Sequence, residues 1–508
     1  MTMNKPKGKV FIVGAGPGDP GLITLNALEK LKRADVVVYD RLINNELLSF
    51  CSEDCERVFV GKESGYHAIE QEKITEILIN KSKSGLNVVR LKGGNPFVFG
   101  RGSEEALELK KAGIEFEIIP GITSGLSAPV YSGIPITQRG LINQCIFITA
   151  HECPDKPGTQ VDWDKLAKLK NTSLIIYMGA SRIEAISEKL IKYGMDPATP
   201  VAAIENGTLP KQRTLTARLD KIAEDFKQKN FHAPVIIMVS PTVALRESIS
   251  WYEKKPLFNK RIAVAGAQEQ FDDLHNMLYD LGAEMFPLNV LKIQSSNPEI
   301  NLKELFSEDD FEWILFTSKN AVKFFWELLK RENLDSRIFG TKKIAAVGYE
   351  LAKTIESFGL NPDYSSEEFN PDSFHNDFLK NYGIAGKKLL RILDDSPLDK
   401  ISNELNSLGI KTHSIKVFDI LPNQPKPELI AEIQKHYPDV LIFASKVSID
   451  YFFNVLTAET ATNILNNCGS IVVEPVTPDD LINKNIRSKK ISADYTIDKM
   501  HDIVNKLI

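Results

Sequence analysis

The chain has 508 residues, of which 43% are hydrophobic and 25% are charged. These proportions are typical of globular proteins and exclude a largely disordered chain, and the length predicts several α/β-sized domains rather than one core. A formal net charge of −5 at pH 7 argues against a nucleic-acid-binding protein, because such proteins usually present a basic face.

The cysteines lack the spacing of a metal site, so no metal ligand set is predicted and a reducing, cytoplasmic environment is expected. Cys51 and Cys55 form the one close pair, for which ordinary packing in a helix is favoured over a ligand or redox role. No apolar stretch approaches the ~20 residues of a membrane span, and no secretory segment precedes the glycines after Val13. We therefore expect a soluble protein without a membrane partner.

The first motif is the glycine-rich stretch GAGPGDPG at 14–21, directly after the apolar run Val10–Val13. Such a loop normally offers backbone N–H groups to an anion, but this one matches neither the dinucleotide fingerprint nor the P-loop. Asp19 stands where the fingerprint needs glycine, and Pro17 and Pro20 remove two donors. The loop therefore predicts a ligand with a cationic or neutral contact edge rather than a bare pyrophosphate.

Short apolar runs alternate with amphipathic helical patterns through the first half, which is typical of βα units and largely parallel sheets. The predicted strands are Val10–Val13, Val36–Tyr39, Val88–Leu91, Phe116–Ile119, Ile146–Thr149, Leu174–Tyr177 and Val235–Val239. Glycine and proline cluster at the ends of several of these strands. Because ligands collect outside the carboxyl ends of strands in open α/β sheets, one cleft is predicted there.

Asp40 in VVVYDRLI comes just past a predicted strand. An acid there binds a ribose hydroxyl in a dinucleotide fold, or acts as a base or orienting group at a cleft; a solvated turn aspartate is the alternative. The stretch LKGGNPFVFGRG adds paired glycines, an apolar wall from Phe97 and Phe99, and Arg101 as a fork for carboxylates.

The next residues, Ser103, Glu104 and Glu105, are predicted only to cap the following helix.

Several motifs of the first half resemble, in order and spacing, those of uroporphyrinogen-III C-methyltransferases, within the S-adenosylmethionine-dependent tetrapyrrole methylase family. They are GAGPGDPGLITL, YDRLI, VGK, KGGNPFVFGRG, PGITS, YSGIPIT, YMG and ENGTLPKQ. The resemblance covers residues 8–248. It implies two α/β lobes with S-adenosylmethionine between them, a homodimer, and two successive methylations of uroporphyrinogen III that give precorrin-2.

The resemblance also implies roles for single positions. Asp40 and Lys62 fall where the family has its proton acceptor and donor. Cofactor contacts fall at Pro17, Gly93, Gly94, Asn95, Val98, Thr123, Ser124, Met178 and Gly207. Because the substrate is rich in carboxylates, its expected anchors are Arg41, Lys62, Lys92, Arg101 and Arg139, with surface charge as the alternative for some of them. This chain departs from the family at Asn95 (usually aspartate), Gln138 (histidine) and Ala150 (glycine).

The stretch RESISWYEKKPLFNK is charged, contains a proline and lacks a strand period, so residues 251–259 are predicted to link a module at 1–250 to one at 260–508. The first module is divided into lobes of about 1–135 and 136–250. Aromatic and apolar side chains of the link, Trp251, Tyr252, Leu257 and Phe258, are expected to dock the two halves.

The second half contains a short internal repeat. FTSKNAVKFF at 316–325 aligns without a gap on FASKVSIDYF at 443–452, and each stretch predicts an apolar strand, a Ser-Lys turn and an amphipathic helix. Two similar α/β lobes are the interpretation, one of about 260–295 with 420–508 and an inserted one of about 296–419.

The stretches KRIAVAG, WILFTSKNAV, KKIAAVGYELA, DVLIFASKVSI and VVEPVTPDDL resemble uroporphyrinogen-III synthase, which closes hydroxymethylbilane with inversion of its last ring. The implied fold is a second two-lobed α/β module. Thr317, Ser318 and Ser445 are expected to hold substrate carboxylates at helix N-termini, with capping alone as the alternative. This chain has Ala265-Gly266 where the family has Thr-Arg, Leu351 and Ala444 where it has threonines, and Glu474 where it has a glycine, so several polar substrate contacts are missing.

Two hypotheses therefore stay open for the whole chain. One is a bifunctional enzyme that converts hydroxymethylbilane to uroporphyrinogen III and then to precorrin-2, on the route to sirohaem or cobalamin. The other is a methyltransferase whose degenerate synthase-like half binds the tetrapyrrole or stabilises the enzyme. Methylation of a later corrin position or of RNA, and a carrier without turnover, are further alternatives.

Overall fold

The structure is a computed structural model that describes residues 8–52, 54–61, 71–151, 160–296, 298–308, 311–366, 378, 382, 388–393, 405, 410–473 and 491–492. Lys62 and Glu474, two positions named above, lie outside these residues. The chain forms two compact units: Met1–Arg261 with Met277–Glu284, and Ile262–Asn276 with Met285–Ile508.

The first unit opens with a five-stranded sheet whose paired strands all run parallel, in the order β3-β2-β4-β1-β5. The strands are β1 (Lys9–Gly14), β2 (Val36–Tyr39), β3 (Glu56–Phe59), β4 (Val88–Lys92) and β5 (Glu115–Ile119). Helices α1 (Leu25–Lys32), α2 (Gln71–Lys83) and α3 (Gly102–Lys111) connect them. The four strands predicted in this region are confirmed, and their largely apolar sequences are typical of a parallel sheet that helices cover on both faces.

The second sheet of this unit has the order β6-β7-β10-β8-β9. Its strands are β6 (Gln144–Thr149), β7 (Thr172–Tyr177), β8 (Pro200–Glu205), β9 (Arg213–Arg218) and β10 (Val235–Val239), and its helices are α4 (Ser124–Tyr131), α5 (Trp163–Leu166), α6 (Ile183–Lys192), α7 (Ile222–Gln228) and α8 (Arg246–Ile249). Only β6 and β7 pair in parallel among these strands, so the prediction of largely parallel sheets is wrong here. The loop between β8 and β9 is too short for a parallel crossover, which needs about a dozen residues.

The segment predicted as a linker is folded onto the first unit. Tyr252 and Leu257 are buried, and the Tyr252 hydroxyl donates to the carbonyl of Thr208 at 3.2 Å. Trp251 Nε1 donates to the carbonyl of Val130 at 3.1 Å. Its docking to the second half stays a prediction.

The described part of the second unit contains two five-stranded sheets and a two-stranded ribbon, in the orders β12-β11-β20-β21-β22, β16-β15-β14-β17-β18 and β13-β19. The strands are β11 (Arg261–Gly266), β12 (Glu284–Asn289), β13 (Leu291–Ser295), β14 (Phe311–Phe316), β15 (Lys343–Ala346), β16 (Tyr364–Ser365), β17 (Lys388–Leu393), β18 (Lys411–Lys416), β19 (Phe418–Pro422), β20 (Val440–Phe443), β21 (Ser470–Val473) and β22 (Ile491–Ser492). Helix α9 (Gln268–Asp280) begins in this unit, and its residues from Met277 onward belong to the first unit. The other helices are α10 (Leu302–Glu308), α11 (Lys319–Arg331), α12 (Tyr349–Ser357), α13 (Pro427–Lys435), α14 (Lys446–Val455) and α15 (Ala458–Asn467). The two ribbon strands lie on the two chain segments that connect the sheets: β13 comes between β12 and β14, and β19 comes between β18 and β20. They pair with each other in antiparallel fashion.

The internal repeat corresponds to two strand–cap–helix units, one in each five-stranded sheet of this part of the chain. Ser318 follows β14 and its Oγ accepts from the Ala321 N–H at 3.1 Å, at the start of α11. Ser445 follows β20 and its Oγ accepts from the Ser448 N–H at 3.2 Å, at the start of α14. The predicted strand, turn and helix are confirmed in both copies.

Because each cap hydroxyl satisfies a backbone N–H that the helix leaves without a partner, we expect Ser318→Ala to lower the free energy of unfolding by about 1 kcal/mol. Urea denaturation of the full chain measures this. Ser307→Ala is the matched control, since that exposed hydroxyl only donates to the Glu304 carbonyl within α10. Equal midpoints for the two variants would contradict the prediction.

Candidate active site

Three glycines at the carboxyl ends of neighbouring strands are in backbone contact. They are Gly14 of β1, Gly94 after β4 and Gly121 after β5, and we call them the glycine triad. A Cβ on Gly14 would lie 2.4 Å from the Gly121 nitrogen, and one on Gly121 would lie 2.3 Å from the Gly94 oxygen. Gly16 and Gly94 also exchange two backbone hydrogen bonds, at 3.2 and 2.7 Å. Only glycine permits this approach, so the loops after the three strands meet at one edge of the sheet.

The backbone donors of GAGPGDPG are largely used inside the protein. The Gly16 N–H donates to Gly94, the Asp19 N–H donates to Thr208 Oγ1 at 3.1 Å, and the Gly21 N–H donates to Asp19 Oδ1 at 2.7 Å. This agrees with the interpretation that the loop is not a phosphate cradle.

The Asp19 side chain makes its hydrogen bonds inside the protein. Its carboxylate is buried and accepts from the hydroxyls of Tyr131, at 2.5 Å, and Tyr279, which belongs to the same unit. Burial raises the pKa of Asp19 despite these hydrogen bonds. The acid therefore holds the loop in place.

Asn95 braces two of the loops against each other. Its Nδ2 donates to the Gly121 carbonyl at 3.1 Å, and its Oδ1 accepts from the Phe97 N–H at 2.9 Å. An aspartate could make the second of these bonds but could not donate the first. Gly93 lies against Leu42, whose Cβ would be 3.3 Å from a Cβ on Gly93, so the loop after β2 packs here as well.

The second sheet reaches this edge through the end of β7. The Tyr177 hydroxyl is 2.8 Å from Thr123 Oγ1 and accepts from the Gly125 N–H at 2.9 Å, and burial raises its pKa. The next residue, Met178, has a φ of 55° and is 49% exposed. The Phe99 ring lies 5.0 Å from the Tyr177 ring, which gives this edge an apolar wall.

Eight of the nine predicted cofactor positions lie on loops that these contacts connect, and the ninth, Ser124, is the first residue of α4. Pro17 lies in the loop after β1, Val98 packs against the core around Tyr177, and Gly207 approaches α4 so closely that a Cβ would lie 2.4 Å from the Ala128 Cβ. The loops described above hold Gly93, Gly94, Asn95, Thr123 and Met178. Their contacts with a cofactor stay a prediction.

Asp40, at the end of β2, is held by two hydrogen bonds. Its Oδ2 accepts from Arg90 Nη2 at 3.3 Å and its Oδ1 accepts from the Leu42 N–H at 3.2 Å. The side chain is 29% exposed, whereas Arg90 is buried. Asp40 is therefore an oriented carboxylate at the sheet edge rather than a freely solvated turn residue.

The expectations for Lys92, as a substrate anchor, and for Glu105, as part of a helix cap, are wrong. Lys92 is buried and donates to Glu105 Oε1 at 2.9 Å, so it does not serve as an exposed substrate anchor. Burial, and then the neighbouring Arg90, lower its pKa, while Glu105 opposes both effects. Glu105 is fully buried rather than part of a helix cap, and the residue that caps α3 is Arg101, through its backbone alone. The sequence carried one signal for this cluster: two cations with strand spacing inside the apolar run VVRLK.

The other predicted anchors that the structure describes, Arg41, Arg101 and Arg139, are exposed. Arg41 follows Asp40, and Arg139 lies on the turn before β6. Arg101 pairs with Glu104 at 2.7 Å. Within the described residues, no group of three or more His, Cys, Asp or Glu side chains could hold a metal ion, and no helix is long and apolar enough to cross a membrane.

Cys51 and Cys55 are buried in the core of the first sheet, in a turn rather than in a helix. Burial raises the pKa of Cys51 to about 12. Both are packing thiols, because a reactive cysteine needs an accessible thiolate.

In the second unit, the hydroxyls of Ser318 and Ser445 serve as helix caps, and Thr317 is half-buried beside the first of them. Three positions at which the family has polar residues are apolar and buried here: Ala265, Leu351 and Ala444. Substrate binding by the three hydroxyl residues stays a prediction.

We expect Gly121→Ala to lower the free energy of unfolding by about 3 kcal/mol, because its Cβ meets backbone atoms that cannot move aside. It should also weaken S-adenosylmethionine binding, measured by calorimetry, since two loops are displaced. Gly113→Ala is the control: its φ of 69° costs about 1 kcal/mol, but nothing lies within 4 Å of the added Cβ. Equal effects of both variants on binding would contradict this account of the triad.

Comparison with known proteins gives the same two modules. Residues 9–223 match the family of tetrapyrrole (corrin/porphyrin) methylases, and residues 272–502 match uroporphyrinogen-III synthase HemD. A porphyrin biosynthesis protein HemD of Ruminiclostridium josui is 37% identical over 419 residues, 81% of each chain. A uroporphyrinogen-III C-methyltransferase of Bacillus subtilis is 39% identical over 353 residues, 70% of this chain and 72% of that one.

Among solved structures, a Thermus thermophilus uroporphyrin-III C-methyltransferase in complex with S-adenosylhomocysteine is 36% identical, with 46% of this chain and 93% of that chain covered and a TM-score of 0.40. Tetrapyrrole methylases use S-adenosylmethionine as methyl donor and act in tetrapyrrole biosynthesis. The chain belongs to this methylase family and carries a uroporphyrinogen-III synthase domain that follows the methylase domain in the sequence.

Proposed function

We propose that the first unit transfers methyl groups from S-adenosylmethionine to two pyrrole carbons of uroporphyrinogen III and so forms precorrin-2. One observation carries the proposal: the glycine triad, the exposed Met178 and the oriented Asp40 lie on loops that meet at one sheet edge. The similarity to a uroporphyrinogen-III C-methyltransferase supports the choice of substrate.

The residues at this edge fit S-adenosylmethionine. The glycines leave backbone uncovered for close approach, and Met178, Phe97 and Phe99 expose apolar surface for a nucleoside and an alkyl chain. The loops that would hold the cofactor are those of residues 14–21, 93–98, 120–124 and 177–179, with Gly207 behind α4. When bound, the cofactor supplies an electrophilic methyl group.

The protein's contribution to the reaction is then mainly positioning, because methyl transfer needs in-line approach of an electron-rich pyrrole carbon. Asp40 accepts or steers the pyrrole N–H proton as positive charge develops on the ring. Lys62 is the proton donor that the resemblance implies, and Arg41, Arg101 and Arg139 supply cations for the substrate carboxylates. The functional enzyme is proposed to be a cytoplasmic homodimer.

We expect Asp40→Asn to lower kcat for methylation of uroporphyrinogen III by roughly 10²–10⁴-fold, because the amide cannot take a proton. Binding of S-adenosylmethionine, measured by calorimetry, should be retained. Asp54→Asn, an exposed turn residue of the same lobe, is the control with unchanged kcat. Full turnover by Asp40→Asn would refute the assigned role, and a wild-type protein that binds uroporphyrinogen III without methylating it would favour a carrier.

We further propose that the second unit closes hydroxymethylbilane to uroporphyrinogen III. Loss of the hydroxyl is assisted by the substrate's own pyrrole nitrogen, so the protein needs to hold carboxylates and bend the chain more than to supply acids or bases. The start of α11 and the start of α14 offer N–H groups and partial positive charge for that purpose.

A degenerate synthase half is the second candidate, and it is favoured by the buried apolar residues Ala265, Leu351 and Ala444 at positions where the family has polar contacts. In that case the unit binds the tetrapyrrole or stabilises the methylase without turnover.

An anaerobic assay decides between the two. Purified protein receives freshly made hydroxymethylbilane with and without S-adenosylmethionine, and the products are separated by isomer and mass. A dimethylated type III macrocycle is expected. In Asp40→Asn, unmethylated uroporphyrinogen III should accumulate instead. If only the type I isomer forms while added uroporphyrinogen III is methylated, the synthase assignment fails and the methylase assignment stands.

A further inference from the structure

Strand β4 carries two cations into the interior of the first unit. Arg90 and Lys92 are 3% and 5% exposed, and their spacing of two places both on one face of the strand. Glu105 of α3, with 0% exposure, meets both of them. Its Oε1 accepts from Lys92 Nζ at 2.9 Å, from Arg90 Nε at 3.3 Å and from Gln71 Nε2 at 2.7 Å.

Arg90 connects this buried carboxylate to the sheet edge. Its Nη1 donates to the carbonyls of Val38 and Leu91, at 3.3 and 3.2 Å, and its Nη2 donates to Asp40 Oδ2 at 3.3 Å. Each guanidinium nitrogen therefore has an acceptor. Because the group is planar, the bond to Glu105 at one end sets its orientation toward Asp40 at the other.

The charges of this cluster balance. Asp40 and Glu105 are the two carboxylates, Arg90 and Lys92 the two cations, and of the four only Asp40 has substantial exposure. Glu105 is thus the buried counter-charge that allows two cations to lie side by side in the interior.

Glu105 is also poorly arranged for stability alone. Its Oε2 is buried and has no hydrogen-bond partner among the described residues. An unsatisfied buried oxygen costs folding free energy, and the three hydrogen bonds that this carboxylate accepts from Gln71, Arg90 and Lys92 all go to Oε1. The geometry is better explained by a need to orient the Arg90 guanidinium group than by the packing of α3.

We propose that Glu105 is a positioning residue for methyl transfer: through Arg90 it holds the Asp40 carboxylate in the orientation that meets the pyrrole N–H. The proposal rests on the proposed function, in which Asp40 accepts or steers that proton. Since Glu105 is fully buried, it acts on the substrate only through Arg90 and Asp40.

The first test is Glu105→Gln, which keeps the shape of the side chain and removes its charge. We expect kcat for methylation of uroporphyrinogen III to fall on the order of tenfold or more, because the base is misplaced. The KM for S-adenosylmethionine should stay within about twofold, because the cofactor loops are untouched. Glu108→Gln is the matched control, since Glu108 lies on the same helix in an exposed pair with Lys111 at 2.6 Å; its kcat should be unchanged.

A double-mutant cycle with Asp40→Asn separates positioning from structural damage. If Glu105 acts through Asp40, Glu105→Gln has no further effect on the single-turnover rate of the Asp40→Asn enzyme. Equal fold losses in both backgrounds, or an unchanged kcat in folded Glu105→Gln, would overturn this proposal alone. A fully active Asp40→Asn enzyme would overturn the assigned role of Asp40 and this proposal with it.

A second variant guards against a failure to fold. Glu105→Gln/Lys92→Met removes one charge of each sign, so it should recover the melting temperature that the single variant loses. We expect kcat to stay low, because Arg90 still lacks its anchor. Recovery of kcat together with the melting temperature would show that Glu105 only balances charge and would overturn the proposal.

Discussion

Backbone contact within the glycine triad is the constraint on which the proposed methylase site depends. With any side chain at Gly14 or Gly121, the loops after β1, β4 and β5 would be pushed apart by atoms that belong to the main chain. Because they do meet, Asn95 reaches the Gly121 carbonyl and Thr123 reaches the hydroxyl of Tyr177 from the second sheet. The proposed site, to which two sheets contribute, therefore depends on glycine at these three positions.

Charge is handled differently at the same edge. The sheet is apolar, yet β4 carries Arg90 and Lys92 in its interior, where an unpaired cation would be costly. Glu105 from a helix and Asp40 from a loop supply the opposite charges, so the cation that stabilises the fold also orients the exposed carboxylate. One guanidinium group, that of Arg90, therefore both balances the buried charge and orients Asp40.

The two units rely on related physical devices. In the first, loops without side chains allow close approach to a ligand; in the second, serine-capped helices begin directly after strands of two different sheets. Neither device supplies an acid or a base. This suits reactions in which the substrate is electron-rich and the protein chiefly holds it in place. In the proposed function, the few oriented ionisable groups, Asp40 above all, handle the protons.

The sequence by itself determined the features that depend on near neighbours in the chain. Apolar runs predicted the strands, glycine and proline marked the strand ends, and the Ser-Lys turns predicted the caps at Ser318 and Ser445, because propensity and capping act over a few residues. The ordered motifs also indicated the family.

Only the tertiary structure decided which partners meet across the fold. Asp19 faces Tyr131 rather than a ligand, Lys92 is buried on Glu105 rather than exposed to substrate, and β10 lies antiparallel between β7 and β8. These contacts join residues that are far apart in the chain, and strand direction depends on which neighbours compete for each edge. Local patterns carry no record of such pairings, because the free energy of burying a charge or pairing a strand is set by what packs against it.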